Sequence, residues 1–320
     1  MCCPLGARVT HPFVPGLNGT HPVLSALGSR PPGARLALVV EGGGMRGAVS
    51  GGMALGLGEL GLAGAFDAAY GASAGTLNAL WLVSDRVREG IPTWIDRSWN
   101  RELISRWRML RGRPMVDIRG LIEHRYEQLS PGLFAAALGA GTELHPLATA
   151  VSTGEAVDLH PTITDPASLQ RAVRASATLP LLAGEPVSLG GEHYLDAGLT
   201  AAIPVQAAIR DGATHILVLR SRLEGEVTSA PTGAAGRLTA RLLARVDPAV
   251  ARAFLNRAQD ELEVEALLAR HAADAALTPH VLSIRSPPGS PVPSRLDRNV
   301  DRVAAAMEAG RAAAHAALGG

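Results

Sequence analysis

Apolar positions between residues 36 and 84 fall into four short blocks. LALVVE (36–41) is an apolar run with β-branched members that ends at an acid, which is typical of a buried strand. Small and apolar residues fill AVSGGMALGLGEL, which predicts a helix packed closely on a sheet. A second strand, FDAAYG (66–71), and a second helix, ASAGTLNALWLVSD, follow. This order favours an α/β fold with a mostly parallel sheet and with ligands at the carboxyl ends of its strands.

The middle of the chain continues to alternate between helix and strand patterns. Residues 85–142 are richer in Arg, Trp and charge and predict helical cap material. HPLATAVSTGEAVDL (145–159) predicts a strand hairpin with its turn at Thr153-Gly154. SLQRAVRASATLPLL predicts a helix that ends before Pro180, and EHYLDAG predicts a short strand that enters a turn. HILVLRS (215–221) is a further buried strand.

The two ends of the chain have different patterns. EGEVTSAPTGAAG is typical of a linker, and two Ala- and Arg-rich helices follow it. Asp247 and Pro248 suit the N-cap and first helical positions of the second helix. HVLSIRS predicts a last strand, and residues 297–317 a final helix. Residues 1–34, rich in Pro, Gly and His without periodicity, predict a loose arm.

Composition narrows the class of protein. The chain has 320 residues, of which 47% are apolar, which indicates a globular protein. A net charge of +1 gives no electrostatic basis for binding nucleic acid. The sequence contains no Lys, which excludes a Schiff-base lysine and a Walker-type phosphate loop.

Cysteine usage and hydropathy suggest the cell compartment. Cys2 and Cys3 are the two cysteines, so an internal disulfide framework and a cysteine-rich zinc site are excluded, and we expect no metal. We interpret the pair as part of an exposed tail or a misassigned start, the alternative being a lipid anchor, for which no signal-peptide h-region precedes the cysteines. The least polar stretch, residues 47–66, contains Glu59 and six glycines between 51 and 64, which predicts a buried helix and turn in place of a membrane span. We expect a soluble, cytoplasmic protein with no targeting segment.

Gly71-Ala72-Ser73-Ala74-Gly75 is the first motif that could carry chemistry. It lies between a predicted strand and a predicted helix. A nucleophile elbow requires that context, because its turn is so tight that the flanking residues must be small. The N-terminus of the helix behind the serine favours developing negative charge. The alternative is a Gly/Ser turn that packs the helix on the strand.

The loop Gly42-x-Gly44-x-x-Gly47 has the spacing of a dinucleotide-binding loop. That function also requires an acid at the end of the next strand, whereas Asp67 lies at the start of FDAAYG. Since the elbow occupies the strand's end, we favour a loop that directs backbone N–H groups at a substrate carbonyl oxygen beside Ser73. Arg46 then organises the loop or contacts an anionic headgroup, the alternatives being a salt bridge to Glu41 or a surface charge.

A serine nucleophile needs a base. The late histidines lack strand-end context and are interpreted as structural: His215, His271, His280 and His315. Asp196 follows HYL and precedes Ala197-Gly198, so it projects from a strand end into a turn. Aspartate is ionised at neutral pH and can accept the serine proton directly, the alternative being a turn-forming Asp.

Together these motifs resemble the patatin-like phospholipase family, in its bacterial branch. The order matches: EGGGMRG, then GASAG with TLNA after it, then RASATLP, then YLDAG and IP. LATAVSTGEAVDL is also similar to the family's central hairpin. The resemblance covers residues 36–221, with a weaker likeness in PSRLDRNVDRVAAAMEAG near the end. Three motifs in the same order are far more specific than any one of them.

The resemblance implies a serine acyl hydrolase with a Ser-Asp dyad, no histidine and no cofactor. By position, Ser73 is the nucleophile, and Asp196 is the base that activates Ser73 and then water. The implied oxyanion hole consists of Gly42, Gly43, Gly44 and Arg46. The remaining motif residues are Gly47, Gly71, Gly75, Ala197 and Gly198.

The resemblance also implies a division of the chain and a class of substrate. We expect a flexible arm over residues 1–34, a three-layer α/β catalytic domain over 35–221, and a mainly helical region over 222–320 packed on it. The expected partner is a lipid acyl ester; its headgroup, its chain length and the oligomeric state are left open. The Trp- and Arg-rich segment 94–113 is either a transient contact with a membrane surface or a solvated helical cap.

Two positions depart from the family's pattern. Ala197 follows Asp196 where the family usually has Gly, and LTAAIP lacks the Asn often found before the proline. A negative φ accommodates Ala, whereas a positive φ would cost about 1–2 kcal/mol. The Ala197 departure is the one argument for a different function, an inactive hydrolase used as a lipid-binding or regulatory protein.

Overall fold

One sheet organises the described part of the chain, which is residues 21–224, 226 and 231–319 of a computed structural model. Cys2, Cys3 and most of the predicted arm lie outside these residues. The strands are β1 (Leu36–Val40), β2 (Ala68–Ala72), β3 (Glu143–Ala150), β4 (Ala156–Asp158), β5 (Val187–Leu189), β6 (Glu192–Asp196), β7 (His215–Leu219) and β8 (His280–Ile284). The α-helices are α1 (Pro22–Gly28), α2 (Gly47–Glu59), α3 (Ala74–Val83), α4 (Val87–Gly90), α5 (Arg97–Leu103), α6 (Arg106–Met109), α7 (Ile118–Gly120), α8 (Tyr126–Leu129), α9 (Leu133–Leu138), α10 (Pro166–Ala177), α11 (Val205–Arg210), α12 (Gly233–Leu243), α13 (Pro248–Ala273) and α14 (Val300–Leu318).

The sheet is mostly parallel. Its strand order is β5-β6-β3-β2-β1-β7-β8, and β4 also pairs with β3. The pairs within the run β3-β2-β1-β7-β8 are parallel, whereas β4 and β6 pair with β3 in the antiparallel direction, as β5 does with β6. The predicted α/β class with a mostly parallel central sheet is confirmed.

Helices cover both faces of the sheet, and β1 shows why. Leu36, Leu38 and Val40 belong to one buried cluster, which contains residues of α2, α3 and α14. Ala37 and Val39 alternate with them and belong to a second cluster, with residues of α11 and α13. Because both faces of β1 are buried, neither set of alternating side chains contacts water, which explains why LALVV is apolar throughout.

The carboxyl ends of β1 and β2 position the candidate site. These neighbouring strands are parallel, and Val40 is opposite Gly71 in their register. The glycine loop therefore leaves the sheet beside the serine elbow. Each loop leads directly into a helix, α2 after the first and α3 after the second.

Several elements differ from their predicted form. Helix α1 lies within the predicted loose arm and buries Val23, Ala26 and Leu27, because its short apolar face packs against the sheet. Strand β5 was not predicted, and β2 begins at Ala68, two residues after the predicted start. Helix α12 begins at Gly233, inside the predicted linker, of which residues 225 and 227–230 lie outside the described part.

Other sequence predictions are confirmed. The hairpin of β3 and β4 turns at Gly154, whose φ is +73°. Helix α10 ends at Ala177, ahead of Pro180, and the Asp247 side chain caps α13 by accepting from the Ala249 N–H. Among the described residues, no helix combines the length and apolar character needed to cross a membrane.

Candidate active site

The elbow between β2 and α3 holds Ser73 in a strained backbone conformation. Its φ is 53° and its ψ is −125°, a region that residues with a Cβ rarely adopt. A Cβ on Gly71 would lie 2.4 Å from the Thr76 Cα, and one on Gly75 would lie 2.2 Å from the Val40 carbonyl oxygen. Only glycine therefore fits at either flank, as a nucleophile elbow requires.

The Ser73 hydroxyl contacts one carboxylate. Its Oγ donates a hydrogen bond to Asp196 Oδ2 at 2.6 Å, and both side chains are buried. Asp196 is the last residue of β6, opposite Ala148 on β3. The two residues are 123 positions apart in sequence. The fold thus brings together the two residues that the sequence pairs by their positions at strand ends and by the resemblance.

Asp196 is fixed by three further hydrogen bonds. Its Oδ1 accepts from the Gly198 N–H at 2.7 Å, so the second carboxylate oxygen is also satisfied. Its own N–H donates to the Thr178 carbonyl oxygen at 2.9 Å, and its carbonyl oxygen accepts from Thr149 Oγ1 at 2.9 Å. The carboxylate can therefore turn little, and Oδ2 stays directed at Ser73.

Burial raises the pKa of the Asp196 carboxyl from 3.8 to about 6. The hydrogen bonds from Ser73 and Gly198 and the positive charge of Arg295 oppose this rise by stabilising the ionised form. A carboxylate with a pKa near 6 is ionised at neutral pH and is a stronger base than an ordinary aspartate. Asp196 is therefore suited to accept a proton from Ser73.

Ala197 is accommodated without backbone strain. The non-glycine residues with positive φ among the described residues are Ser73, Asp85 and Leu181. Ala197 is not one of them, and it is fully buried in the short 3-10 turn Ala197–Leu199. The turn therefore requires no positive φ at Ala197, and the alanine leaves the Asp196 turn intact.

The glycine loop contributes fewer N–H groups than its sequence suggests. The N–H of Gly42 donates to the Ala202 carbonyl oxygen at 3.0 Å, so it is not available to an oxyanion. Gly42 instead allows close packing, since a Cβ there would lie 2.5 Å from the Ala72 carbonyl oxygen. The N–H groups of Gly43 and Gly44 donate to no described residue. These two are the backbone donors that the loop can offer.

The loop is held in place by a distant segment. The Met45 N–H donates to the Arg295 carbonyl oxygen at 3.0 Å. At Gly44, φ is +60° and a Cβ would lie 2.4 Å from the same oxygen, so glycine is required on both counts. Arg295 lies in PSRLDRNVDRVAAAMEAG, the weaker likeness near the end of the chain, to which the sequence analysis assigned no role in the site. Its contact with the loop joins residues 250 positions apart.

Arg46 organises the loop through partners that differ from the predicted one. Its guanidinium pairs with Glu226 at 2.7 Å, and its Nε donates to the Pro293 carbonyl oxygen at 3.2 Å. The alternative of a salt bridge to Glu41 is wrong, because Glu41 is paired with Arg220 at 2.8 Å and Arg222 at 3.4 Å. Arg46 thus ties the loop to two distant parts of the chain.

Ser176 is a site residue to which the sequence analysis gave no role. Its Oγ accepts from the Ser73 N–H at 3.1 Å and shares a hydrogen bond with Thr76 Oγ1 at 2.7 Å. Ser176 therefore supports the backbone of the elbow from α10. The motif RASATLP, which includes Ser176, was its signal in the sequence, but a helical pattern does not show which neighbour a serine contacts.

An apolar cleft opens beside Ser73. It has an empty volume of about 660 Å³, part of which is open solvent. Its walls are mainly aliphatic and aromatic, including Leu77, Trp94, Trp99, Ile104, Tyr126 and Leu179. Within the described part of the chain, Arg295 is the one charged residue that lines it. A cleft with this apolar lining is typical of sites for apolar ligands.

The dinucleotide interpretation lacks its acid. Asp67 precedes β2 at the amino end of the strand, where it accepts from the Leu36 N–H at 2.7 Å and pairs with Arg30 at 2.6 Å. The carboxyl end of β2 leads into Ser73 instead. The acid that a ribose hydroxyl requires at the carboxyl end of β2 is therefore not supplied by that strand.

Two groups of described residues could hold a metal ion. They are Glu143, His145 and His160, and His145, Asp158 and Asp211, with ligand atoms within 4.8 Å of one another. His145 is opposite Tyr70 in the register of β3 and β2, three residues before Ser73. A metal bound there would lie towards the amino ends of the strands, away from the serine.

Comparison with known proteins gives two matches. A family model described as patatin-like phospholipase matches residues 38–209, which is more than half of the chain. A protein of Escherichia coli (strain K12), described as "Uncharacterized protein YjjU", is 31% identical over 193 residues, covering 58% of this chain and 52% of that protein. The chain thus spans about half the length of this relative. The family match includes both Ser73 and Asp196.

Proposed function

The chain belongs to the patatin-like phospholipase family, and from that premise we propose that it is a serine acyl hydrolase that cleaves acyl esters of lipids with a Ser73–Asp196 dyad. The family as a whole supports a lipid acyl hydrolase or esterase. The dyad and its mechanism are the finer part of the proposal.

The hydrogen bond between Ser73 Oγ and Asp196 Oδ2 is the observation that carries the proposal. A serine hydroxyl becomes a nucleophile when a base removes its proton. Here the base is a fixed carboxylate at 2.6 Å whose pKa lies near 6. None of the late histidines contacts Ser73 among the described residues, so the carboxylate is the base within reach.

In the first half of the reaction, Asp196 accepts the proton as Ser73 Oγ attacks the ester carbonyl carbon. The carbonyl oxygen becomes an oxyanion, which the N–H groups of Gly43 and Gly44 stabilise. The N-terminus of α3 directly follows Ser73 and favours the same charge. As the tetrahedral intermediate collapses, Asp196 returns the proton to the leaving alkoxide, and the acyl group remains on Ser73.

In the second half, the same carboxylate activates water. Asp196 accepts a proton from a water molecule that attacks the acyl-enzyme carbonyl, and the oxyanion is held by the same loop. Collapse of this intermediate releases the carboxylic acid and returns the proton to Ser73 Oγ. One base with an intermediate pKa suits both halves, because it must accept and donate a proton in each.

The cleft supports an acyl chain as the part of the substrate that is recognised. Its lining is almost wholly apolar, and it opens beside Ser73. Burial of apolar area gives roughly 25 cal/mol per Å², so each added methylene should strengthen binding until the cleft is full. Esters of medium or long chains are expected to have higher kcat/KM than acetyl esters.

Hydrolysis of p-nitrophenyl acyl esters tests the proposal. Ser73→Ala should abolish turnover while the far-ultraviolet circular dichroism and the unfolding midpoint stay near those of the wild type. The matched control is Ser188→Ala, at an exposed position on β5. Turnover by Ser73→Ala equal to that of the control would overturn the proposal. An inert wild type that binds lipid would favour the lipid-binding or regulatory alternative.

A further inference from the structure

A short loop at the edge of the cleft differs in character from the rest of the surface. This 105–115 loop has the sequence SRWRMLRGRPM. Its two ends are tied together, since Ile104 and Val116 form an antiparallel bridge and the Ser105 N–H donates to the Met115 carbonyl oxygen at 2.9 Å. The residues between them therefore project as one closed loop.

The tip of the 105–115 loop exposes large apolar side chains. Trp107, Met109 and Leu110 are 74%, 56% and 76% exposed, and α6 within the loop has no buried residue. The other exposed large apolar residues of the described chain are separated from one another by at least seven positions in sequence. Single exposed apolar residues are ordinary, but a group of three within four positions marks a surface that contacts something apolar.

The same loop concentrates positive charge. Arg106, Arg108, Arg111 and Arg113 lie within it and no acid does, which gives +4, against +1 for the whole chain. Arg108 pairs with Asp117 at 2.9 Å. The other three arginines are exposed and form no ion pair with any described residue. Among the described residues, nothing buries the apolar tip and nothing neutralises the charge of these three arginines.

The loop is also continuous with the substrate cleft. Ile104 and Val116, which close the base of the loop, both line the cleft that contains Ser73. Leu103 and Ile118, one step further from the loop, line it as well. Whatever surface the loop contacts therefore lies next to the entrance for the acyl chain.

We propose that the 105–115 loop docks the protein on the surface of an anionic lipid bilayer, with Trp107, Met109 and Leu110 in the interface and the arginines against the headgroups. Basic residues with tryptophan and aliphatic side chains are the combination that interfacial membrane binding requires. An anionic bilayer complements both the exposed apolar tip and the excess positive charge of the loop, because its surface is negatively charged and its interior is apolar. The inference rests on the proposed function only in that the adjoining cleft accepts lipid acyl chains.

Vesicle sedimentation with the full chain tests the docking. Wild-type protein should bind vesicles of phosphatidylcholine mixed with phosphatidylglycerol, and bind vesicles of phosphatidylcholine alone more weakly. The double variant Trp107→Ser/Leu110→Ser and the double variant Arg111→Gln/Arg113→Gln should each weaken binding to the mixed vesicles by about tenfold or more. High salt should weaken binding through the arginines and not through the apolar tip.

Matched controls lie on α12, on α13 and in the turn between them. Leu238→Ser/Leu255→Ser removes two exposed leucines, and Arg241→Gln/Arg245→Gln removes two exposed arginines, all outside the loop. These variants should bind vesicles as the wild type does. Loop variants that bind like the controls would overturn the inference, as would a wild type that fails to bind the mixed vesicles. A wild type that self-associates in solution, with loop variants that do not and that bind vesicles as the wild type does, would assign the loop to self-association and also overturn the inference.

Hydrolysis assays separate this inference from the proposed function. Loop variants should keep the wild-type kcat/KM on a soluble short-chain p-nitrophenyl ester and lose activity on substrate presented in anionic vesicles. If the wild type binds vesicles but hydrolyses no ester, the proposed function fails and the docking stands. If the soluble ester is hydrolysed but the loop variants hydrolyse vesicle substrate as the wild type does, the docking fails and the proposed function stands.

Discussion

At the scale of single residues, the site depends on one buried carboxylate. Asp196 has two fixed oxygens, one bonded to Ser73 and one to Gly198, and its burial is what raises its pKa to about 6. The same burial that makes Asp196 a better base makes its charge costly to the fold. Replacing Asp196 by an uncharged side chain should therefore lower activity and raise stability.

Asp196→Asn should abolish ester turnover and stabilise the protein at neutral pH. The pKa of Asp196 is raised on folding, so the folded state holds more protons than the unfolded state between about pH 4 and pH 6. With respect to this group, the free energy of unfolding is highest below about pH 4 and falls as the pH rises through 6. For a pKa raised from 3.8 to about 6, this fall is on the order of 3 kcal/mol.

Urea unfolding at pH 4.5 and pH 8 measures this effect, since most of the interval between the unfolded pKa of 3.8 and the folded pKa of about 6 lies between these two pH values. The stability of Asp196→Asn relative to the wild type should increase from the lower to the higher pH. A difference that is constant across the range would contradict a raised pKa for Asp196.

The pH profile of ester hydrolysis should show the same group. The value of kcat/KM should rise with pH through about 6, because the proposed dyad requires Asp196 to be ionised. The positive charge of Arg295 lowers the pKa of Asp196, so Arg295→Gln should move the acid limb to higher pH. Arg241→Gln, on α12, serves as the control and should leave the limb in place. A limb that stays fixed in Arg295→Gln would remove Arg295 from the electrostatics of the site.

At the scale of elements, the site is a meeting of two strand ends. The sequence predicted the strand, loop and helix order around Ser73 because glycine spacing and apolar runs are local signals. It did not predict the support from Ser176, the contact of Arg295 with the glycine loop, or the helix α1. Each of these depends on packing between segments far apart in the chain, which no local pattern encodes.

Gly42 shows the same limit within a motif that was recognised. The sequence assigned its N–H to the oxyanion hole, and the fold directs that N–H to the carbonyl oxygen of Ala202. Ala202 lies in the segment that follows Asp196. The hydrogen-bond partner of Gly42 therefore comes from the part of the chain that also holds the proposed base. The sequence of a glycine loop does not show how many of its N–H groups are free, because that number depends on which carbonyl groups a neighbouring segment brings against the loop.

Gly75→Ala should strongly disturb the packing of α3 on β1. The added Cβ would lie 2.2 Å from the Val40 carbonyl oxygen, so the helix or the strand must shift. We expect a loss of about 2–3 kcal/mol in the free energy of unfolding, together with a fall in activity as Ser73 moves. Gly64→Ala is the matched control, because a Cβ there meets nothing within 4 Å. Equal unfolding midpoints for the two variants would contradict the close approach.

At the scale of the whole molecule, a buried ionic network joins the C-terminal region to the sheet. Glu41, at the end of β1, accepts from the Arg220 Nε and from the Ser221 N–H, each at 2.8 Å. Glu265 on α13 accepts from Arg220 and also from Arg285. The network thus connects β1, β7, α13 and the end of β8, and it lies directly behind the glycine loop.

Glu41→Gln should destabilise the protein by up to about 3–5 kcal/mol, because it removes the fully buried charge that pairs with both Arg220 and Arg222 and leaves Glu265 and Glu261 as their remaining partners. Burial alone would raise the pKa of Glu41, but Arg220 and Arg222 reverse this and hold it below its usual value, so the charged form is the native one. The control is Glu143→Gln, which removes a half-exposed partner of Arg35 and should cost less than about 1 kcal/mol. Urea unfolding at pH 7 compares them, and similar midpoints would be evidence against the network's importance.

The central claim is that Ser73 carries the acyl group during turnover, and a fluorophosphonate tests it most directly. Such a reagent phosphonylates a serine only where a base and an oxyanion hole activate it. Mass spectrometry of the digested protein should find one equivalent of adduct on the peptide that contains Ser73. The adduct should be absent from Ser73→Ala, strongly reduced in Asp196→Asn, and retained in Ser188→Ala. An adduct on a different residue, or ester turnover that persists after Ser73 is fully labelled, would contradict the account.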